Sequence, residues 1–133
     1  MQSARDLDQV VGRLITDLRR MGRRILVVSE YGIESVQRPI RINQVLRQLD
    51  QVAFRLEEGR EYLDPGESKA FAVADHQVAQ VYCHGVENLD ALARQSAEVD
   101  GVAEVLCGEA RGDLDHPRAG DLVLVAEPGA WFT

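Results

Sequence analysis

The stretch that decides the fold is Arg24-Ile25-Leu26-Val27-Val28-Ser29-Glu30-Tyr31-Gly32-Ile33. Its apolar run, Ile25 to Val28, is uninterrupted and mostly β-branched, and a serine, a carboxylate, a phenol and a glycine follow it. A continuous run of this kind predicts a strand that is covered on both faces, as in a parallel sheet. Ligands in open α/β sheets bind beyond the carboxyl ends of such strands. We therefore expect Ser29, Glu30 and Tyr31 to lie where an α/β enzyme holds its reactive groups.

An amphipathic helix is predicted directly before this strand. Between residues 4 and 21 the apolar side chains recur at helical spacing, at Leu7, Val10, Val11, Leu14, Ile15, Leu18 and Met21. Gly22 is expected to end the helix, and the strand begins two residues later. A helix and a strand joined by so short a loop are typical of α/β architecture.

The rest of the chain predicts two further helices and five further strands. The helices are expected over residues 41–49 and 87–97, and the strands over 52–56, 70–74, 78–83, 102–106 and 120–126. The strand–helix–strand order between 78 and 106 predicts a small α+β subdomain. We expect one domain over residues 1–133, with a core helix–strand–helix unit at 1–50, an insert-like α+β subdomain at 51–110 and a return to a core strand at 111–133.

Composition excludes several classes of function. The chain has 133 residues and a net charge of −7, which argues against nucleic acid or an anionic membrane as its main partner. The sequence has no apolar run long enough to span a bilayer and begins without the apolar core of a signal peptide. Cys83 and Cys107 form neither a metal-ligand spacing nor a disulfide framework, so we expect reduced, buried and inert thiols and a cytoplasmic protein.

The C-terminal residues predict an incomplete chain. A complete domain tends to finish in a polar tail or a docked helix, whereas this chain ends in Trp131-Phe132-Thr133 directly after an apolar strand. We expect the chain to be part of a larger protein. An exposed Trp131-Phe132 end would also suit the interface of a homo-oligomer.

A series of motifs resembles one protein family. The run Val27 to Ile33 resembles the Ser-Asp-His-Gly-Met segment of the alkaline phosphatase superfamily, in its type I phosphodiesterase/nucleotide pyrophosphatase branch. The whole chain, from about residue 6 to 132, is similar to bacterial alkaline phosphatase family proteins. The matching motifs are Ser29 to Ile33, Pro39 with Asn43, Leu63 to Gly66, Ala70 to Gln77, Asp115 to Gly120 and Ala130 to Phe132.

This resemblance implies part of an alkaline-phosphatase-like core sheet with helices, beside the α+β subdomain. It also implies a hydrolase in which two divalent metal ions, usually zinc, bind the phosphate ester of a small-molecule substrate and a Ser or Thr hydroxyl attacks phosphorus. Glu30 then occupies the position of a metal-binding Asp. Tyr31 occupies the position of a metal-binding His, for which a phenol is a poor replacement. The nucleophile and most metal ligands of such enzymes lie outside this sequence, so we expect no activity from this chain alone.

Two other pairs of residues are candidates for contact with substrate or with the metal ligands. Asp75 and His76 lie between two predicted strands, either in a turn or near the active site, and on an extended chain their side chains would point to opposite faces. His116 and Arg118 lie in a polar loop, where they would recognise a phosphate or carboxylate. The alternative is that Asp115 and Arg118 hold this loop by local hydrogen bonds.

Two functions from different classes therefore remain open. The chain is either part of a metal-dependent phosphoric ester hydrolase or a non-catalytic α/β module that binds a partner or associates with itself.

Overall fold

The computed structural model describes residues 2–30 and 32–133. They divide into two compact units, Met1–Ile33 and Glu34–Thr133. These bounds differ from the three segments that the sequence suggested, with boundaries near residues 50 and 110. The elements are helices and several small sheets, which confirms the mixed α/β class.

The first unit contains the predicted amphipathic helix, α1 (Gln2–Arg20). Gly22 ends it as expected, with φ at 72°. The backbone N–H of Gly22 donates to the Arg19 carbonyl at 2.9 Å and that of Arg23 to the Leu18 carbonyl at 3.0 Å. This pair of bonds is the Schellman motif, which satisfies the last carbonyls of the helix. None of the described helices is long and apolar enough to cross a membrane.

The strand predicted directly after α1 is absent from the described structure, so this prediction was wrong. Residues 23–29 have no regular secondary structure. Leu26, Val27 and Val28 are 84%, 71% and 79% exposed. A fully buried strand needs a neighbour along its edge and a layer on each face, and these long-range partners are not encoded in the run itself.

The second unit contains every described strand. In chain order its elements are β1 (Arg38–Ile40), α2 (Ile42–Gln48), β2 (Ala53–Glu57), β3 (Arg60–Asp64), β4 (Ala70–Asp75), β5 (Val78–Cys83), α3 (Leu89–Ala97), β6 (Val102–Cys107), a 3₁₀ segment (Gly108–Leu114), β7 (Leu122–Ala126) and β8 (Ala130–Phe132). β2 and β3 form an antiparallel hairpin. β1 and β8 form a short parallel pair.

Four strands form the main sheet, in the order β4-β5-β7-β6, and every neighbouring pair is antiparallel. β5 and β6 are therefore parallel to each other, with α3 as their connection and β7 between them. This arrangement is a split strand–helix–strand unit, as the sequence predicted for residues 78–106. The strand expected to return to a separate core, β7, lies inside this same sheet.

One face of the sheet packs into the hydrophobic core. The largest of its fully inaccessible side chains come from α2, β5 and β7: Ile42, Leu46, Val81, Leu122 and Leu124. Phe132 joins this core and is 2% exposed. Its backbone N–H donates to the His76 carbonyl at 2.7 Å, and β8 pairs with β1. The expectation of an exposed Trp131-Phe132 end was therefore wrong for Phe132, because β1 and the turn at His76 fix it.

Asn43 attaches α2 to the free edge of the sheet. Its side-chain amide donates to the Ala72 carbonyl at 2.8 Å, and its side-chain oxygen accepts from the Ala72 N–H at 2.7 Å. The two bonds imitate a neighbouring strand, which protects the edge of β4 from pairing with another chain.

Candidate functional site

Glu30 lies in a bend of the first unit and is exposed. Its predicted neighbour Tyr31 lies outside the described residues. The structure therefore shows a solvent-accessible carboxylate at the position that the resemblance assigns to a metal ligand.

The two-metal centre implied by the resemblance does not fit the described residues. Within 2–30 and 32–133, no three His, Cys, Asp or Glu side chains lie close enough together to hold a metal ion. A structural zinc site needs four ligands and a catalytic one three. We therefore assign no reaction step to a metal on this part of the chain.

Asp75 is the last residue of β4, and His76 is the first residue of the turn that leads to β5. His76 has a φ of 55°, in the left-handed region that a β-strand does not enter. This conformation brings the two side chains together, with Asp75 Oδ1 2.9 Å from His76 Nδ1. Both are exposed. The expected turn is confirmed, and the two side chains do not point to opposite faces as they would on an extended chain, because the chain is not extended at His76.

A single arginine anchors the loop from Gly108 to Gly120, which we call the 108–120 loop. The Arg111 guanidinium donates to the Gly120 carbonyl at 2.8 Å and pairs with Asp115 Oδ1 at 2.7 Å. The Arg111 side chain is only 18% exposed, whereas Asp115 is 60% exposed, so the bond to the Gly120 carbonyl is better shielded from water than the ion pair. Asp115 thus fixes the loop through Arg111. Arg111 was not among the residues predicted from the sequence, although its i, i+4 spacing from Asp115 is the usual signal of such a pair.

The 108–120 loop also brings His116 and Arg118 together. His116 Nδ1 accepts a hydrogen bond from the Arg118 backbone N–H at 3.2 Å. The Arg118 carbonyl accepts one from the Tyr82 hydroxyl at 3.1 Å. Both side chains line an open pocket of about 450 Å³, together with Gln80, Asp113, Leu114 and Ala119. Arg118 therefore holds the loop through its backbone N–H and carbonyl, and its side chain is one of those that line the pocket.

Among the described titratable groups, Cys83 has the pKa that its surroundings shift most clearly. Partial burial and the nearby Asp121 carboxylate raise the pKa of this thiol to about 11. Asp121 also accepts a hydrogen bond from the Cys83 backbone N–H at 2.7 Å. The thiolate is the reactive form of cysteine, so this environment suppresses reactivity. Cys83 and Cys107 are free thiols that are half-buried rather than buried as expected.

Comparisons with known proteins place the chain in a family. No curated protein matches it. One solved structure with a similar backbone is phosphonoacetate hydrolase from Sinorhizobium meliloti 1021, crystallised in complex with phosphonoacetate. The match has a TM-score of 0.48 and 19% sequence identity, and it covers 77% of this chain and 25% of that enzyme's chain. The family model for type I phosphodiesterase / nucleotide pyrophosphatase matches residues 1–133. The chain therefore belongs to the type I phosphodiesterase/nucleotide pyrophosphatase family.

Proposed function

We propose that this chain is one portion of a metal-dependent phosphoric ester hydrolase and that it has no hydrolytic activity by itself. The family match over residues 1–133 carries the proposal for the class of reaction. The expected lack of activity in this chain by itself is supported by the described residues, which include no group of three or more His, Cys, Asp or Glu that could hold a metal ion. A two-metal mechanism needs both ions to be held in place, so a chain that supplies one or two ligands cannot support it.

Within this proposal, Glu30 supplies one ligand to the metal centre of the longer protein. A carboxylate oxygen is a normal ligand for zinc and for other divalent ions. Glu30 is exposed in the described structure, so its oxygens are available to an ion. The substrate class is a phosphorylated small molecule, and the family description, which names a phosphodiesterase and a nucleotide pyrophosphatase, supports a phosphodiester or a nucleotide pyrophosphate as its form.

Hydrolysis of nitrophenyl phosphate and bis(nitrophenyl) phosphate tests the proposal. The purified 133-residue chain, assayed with zinc or manganese, is expected to give no turnover above the metal blank. A longer protein that contains this chain is expected to be active, and Glu30→Gln in it should lower kcat/KM about 100-fold, as for a defect in a metal site. Glu34→Gln is the matched control, since Glu34 is also an exposed carboxylate and lies four residues later. Turnover by the short chain that Glu30→Gln abolishes would contradict the proposal.

Self-association of a non-catalytic module is a second candidate, and the first unit favours it. α1 exposes an apolar stripe in which Leu7, Val10 and Leu14 are 65%, 62% and 56% exposed. Contiguous apolar surface of this kind is usually covered in the working protein. Light scattering after size exclusion distinguishes the two cases. A dimer that Leu14→Gln dissociates would support self-association, and a monomer at 100 µM would oppose it.

A further inference from the structure

Three hydrogen-bond donors surround the pocket beside the 108–120 loop, and the fold determines which atoms they present. His116 Nδ1 is an acceptor for the Arg118 backbone N–H at 3.2 Å. A neutral imidazole carries one proton, so this bond places it on the other ring nitrogen. His116 therefore presents an Nε2–H donor.

Gln80 presents its amide nitrogen for a similar reason. The Gly120 backbone N–H donates to Gln80 Oε1 at 2.6 Å, which occupies the side-chain oxygen. The remaining polar atom of this side chain is the NH₂ group, which has two donors and no acceptor. Gln80 and His116 both line the pocket.

Arg118 completes the donor set with a positive charge. Its side chain lines the same pocket and is exposed. Among the described residues, no carboxylate forms an ion pair with the Arg118 guanidinium, in contrast to Arg111, which Asp115 engages. A planar guanidinium is the side chain best suited to a bidentate contact with a tetrahedral oxyanion.

The carboxylate of Asp113 restricts which anions the pocket can bind. Its carboxylate is the one acidic side chain among the six residues that line the pocket. An ionised carboxylate accepts hydrogen bonds and repels a fully deprotonated anion. A phosphate group that retains at least one proton satisfies both requirements, because its oxygens accept from the three donors while a hydroxyl donates to Asp113. Sulfate carries no proton at neutral pH and has no hydroxyl to offer.

We propose that this pocket is a binding site for a phosphate group that carries at least one proton. Gln80, His116 and Arg118 donate to its oxygens, and Asp113 accepts the hydrogen bond from its hydroxyl. Leu114 and Ala119 supply an apolar wall, against which the organic part of a phosphate monoester would pack. The site goes beyond the proposed hydrolytic function, since neither Glu30 nor a metal ion takes part in it. The chain's net charge of −7 opposes diffuse anion binding, so saturable binding would report a specific site.

Calorimetric titration of the 133-residue chain with inorganic phosphate at pH 6 tests this site. Phosphate is expected to bind at one site, and sulfate at equal ionic strength is expected to bind at least tenfold more weakly. Arg118→Gln should weaken phosphate binding about tenfold or more, the loss typical of a charge-assisted hydrogen bond. Phenyl phosphate separates the two sources of the group: tighter binding than inorganic phosphate assigns the site to an ester, and weaker binding assigns it to the free ion.

Two further variants control the experiment. Asp113→Asn removes the repulsion and the acceptor, so the preference for phosphate over sulfate should fall toward unity. Arg60→Gln removes an equal charge from β3, away from the pocket lining, and should leave phosphate affinity unchanged. Because Asp113, Arg60 and Arg118 are all exposed, their circular dichroism spectra should match that of the parent chain. Absence of saturable phosphate binding, or equal responses to Arg60→Gln and Arg118→Gln, would overturn the proposal.

Discussion

Gly120 shows how a single residue determines the geometry beside the candidate phosphate pocket. A Cβ atom at this position would lie 2.8 Å from both the backbone nitrogen and the carbonyl oxygen of Val81, and 3.0 Å from the Leu122 oxygen. All three atoms belong to the backbone of the main sheet, which cannot move aside as a flexible side chain can. Glycine is therefore required where the 108–120 loop rejoins the sheet.

We expect Gly120→Ala to lower the free energy of unfolding by about 1–3 kcal/mol, the usual cost of overpacking. Urea denaturation followed by circular dichroism measures this change. Gly66→Ala is the matched control, because a Cβ there would meet only Asp64 Oδ1, at an ordinary 3.5 Å. Equal stability of the two variants would contradict this account of Gly120.

Cys83 yields a prediction about pH. Its thiol pKa of about 11 lies above the reference value of 9.0, because burial and the Asp121 charge disfavour the thiolate. At pH 8 the native thiolate fraction should therefore be about 100-fold smaller than in the unfolded chain, and alkylation correspondingly slower. Iodoacetamide labelling in buffer and in urea, read by mass spectrometry of the Cys83 peptide, measures the ratio. Asp121→Asn should raise the native rate, and a native rate equal to the rate in urea would refute the assignment.

At the scale of elements, those that follow from a local sequence pattern were predicted correctly, and those that depend on long-range strand pairing were not. The periodicity between residues 4 and 21 correctly predicted α1, and alternation correctly predicted β5, because both signals are contained in short segments. The run at Ile25 to Val28 was misread, since its pattern shows what a strand needs but not whether neighbours are present. β1 and β8 have three residues each, too few for a periodic signal, and they exist because they pair with each other.

For the candidate site residues too, the local features were predictable and the contacts that depend on the fold were not. The turn at Asp75-His76 was predictable from the polar break between two apolar runs. The contact between its side chains was not, because it depends on the left-handed conformation of His76. His116 and Arg118 were predicted, whereas Gln80 was not, since its place in the pocket depends on how β5 packs beside the 108–120 loop.

The contact between α2 and β4 can be tested by removing the side chain of Asn43, which joins the two elements. We expect Asn43→Ala to destabilise the chain by about 1–3 kcal/mol, because it leaves the Ala72 N–H and carbonyl without their partner in a half-buried position. Gln44→Ala, an exposed change on the same helix, should cost less than 0.5 kcal/mol by the usual behaviour of surface sites. Thermal denaturation of both variants tests the difference. If the Gln44 variant were the less stable of the two, the proposed role of Asn43 would be wrong.

At the scale of the whole molecule, the stabilising core belongs to the second unit. Every buried side chain among the described residues lies between Ile40 and Phe132. α1 has no buried residue, and Leu26, Val27 and Val28 are exposed. The family motifs are also distributed over both units. Asn43 and Phe132 support the fold of the second unit, whereas Glu30, the candidate metal ligand, lies in the first.

Because the buried side chains lie in the second unit, we expect deletion of residues 1–33 to lower stability less than the single substitution Phe132→Ala. A chain of residues 34–133 should unfold in a single transition with a free energy within about 1 kcal/mol of the full chain, because the deleted part buries no side chain of its own. Phe132→Ala in the full chain should cost about 3–5 kcal/mol, as deletion of a buried aromatic ring does. Guanidinium denaturation of the three proteins compares the two effects, with Trp131 fluorescence as the probe. If the truncated chain were unfolded while Phe132→Ala remained native, the assignment of the stabilising core to the second unit would be wrong.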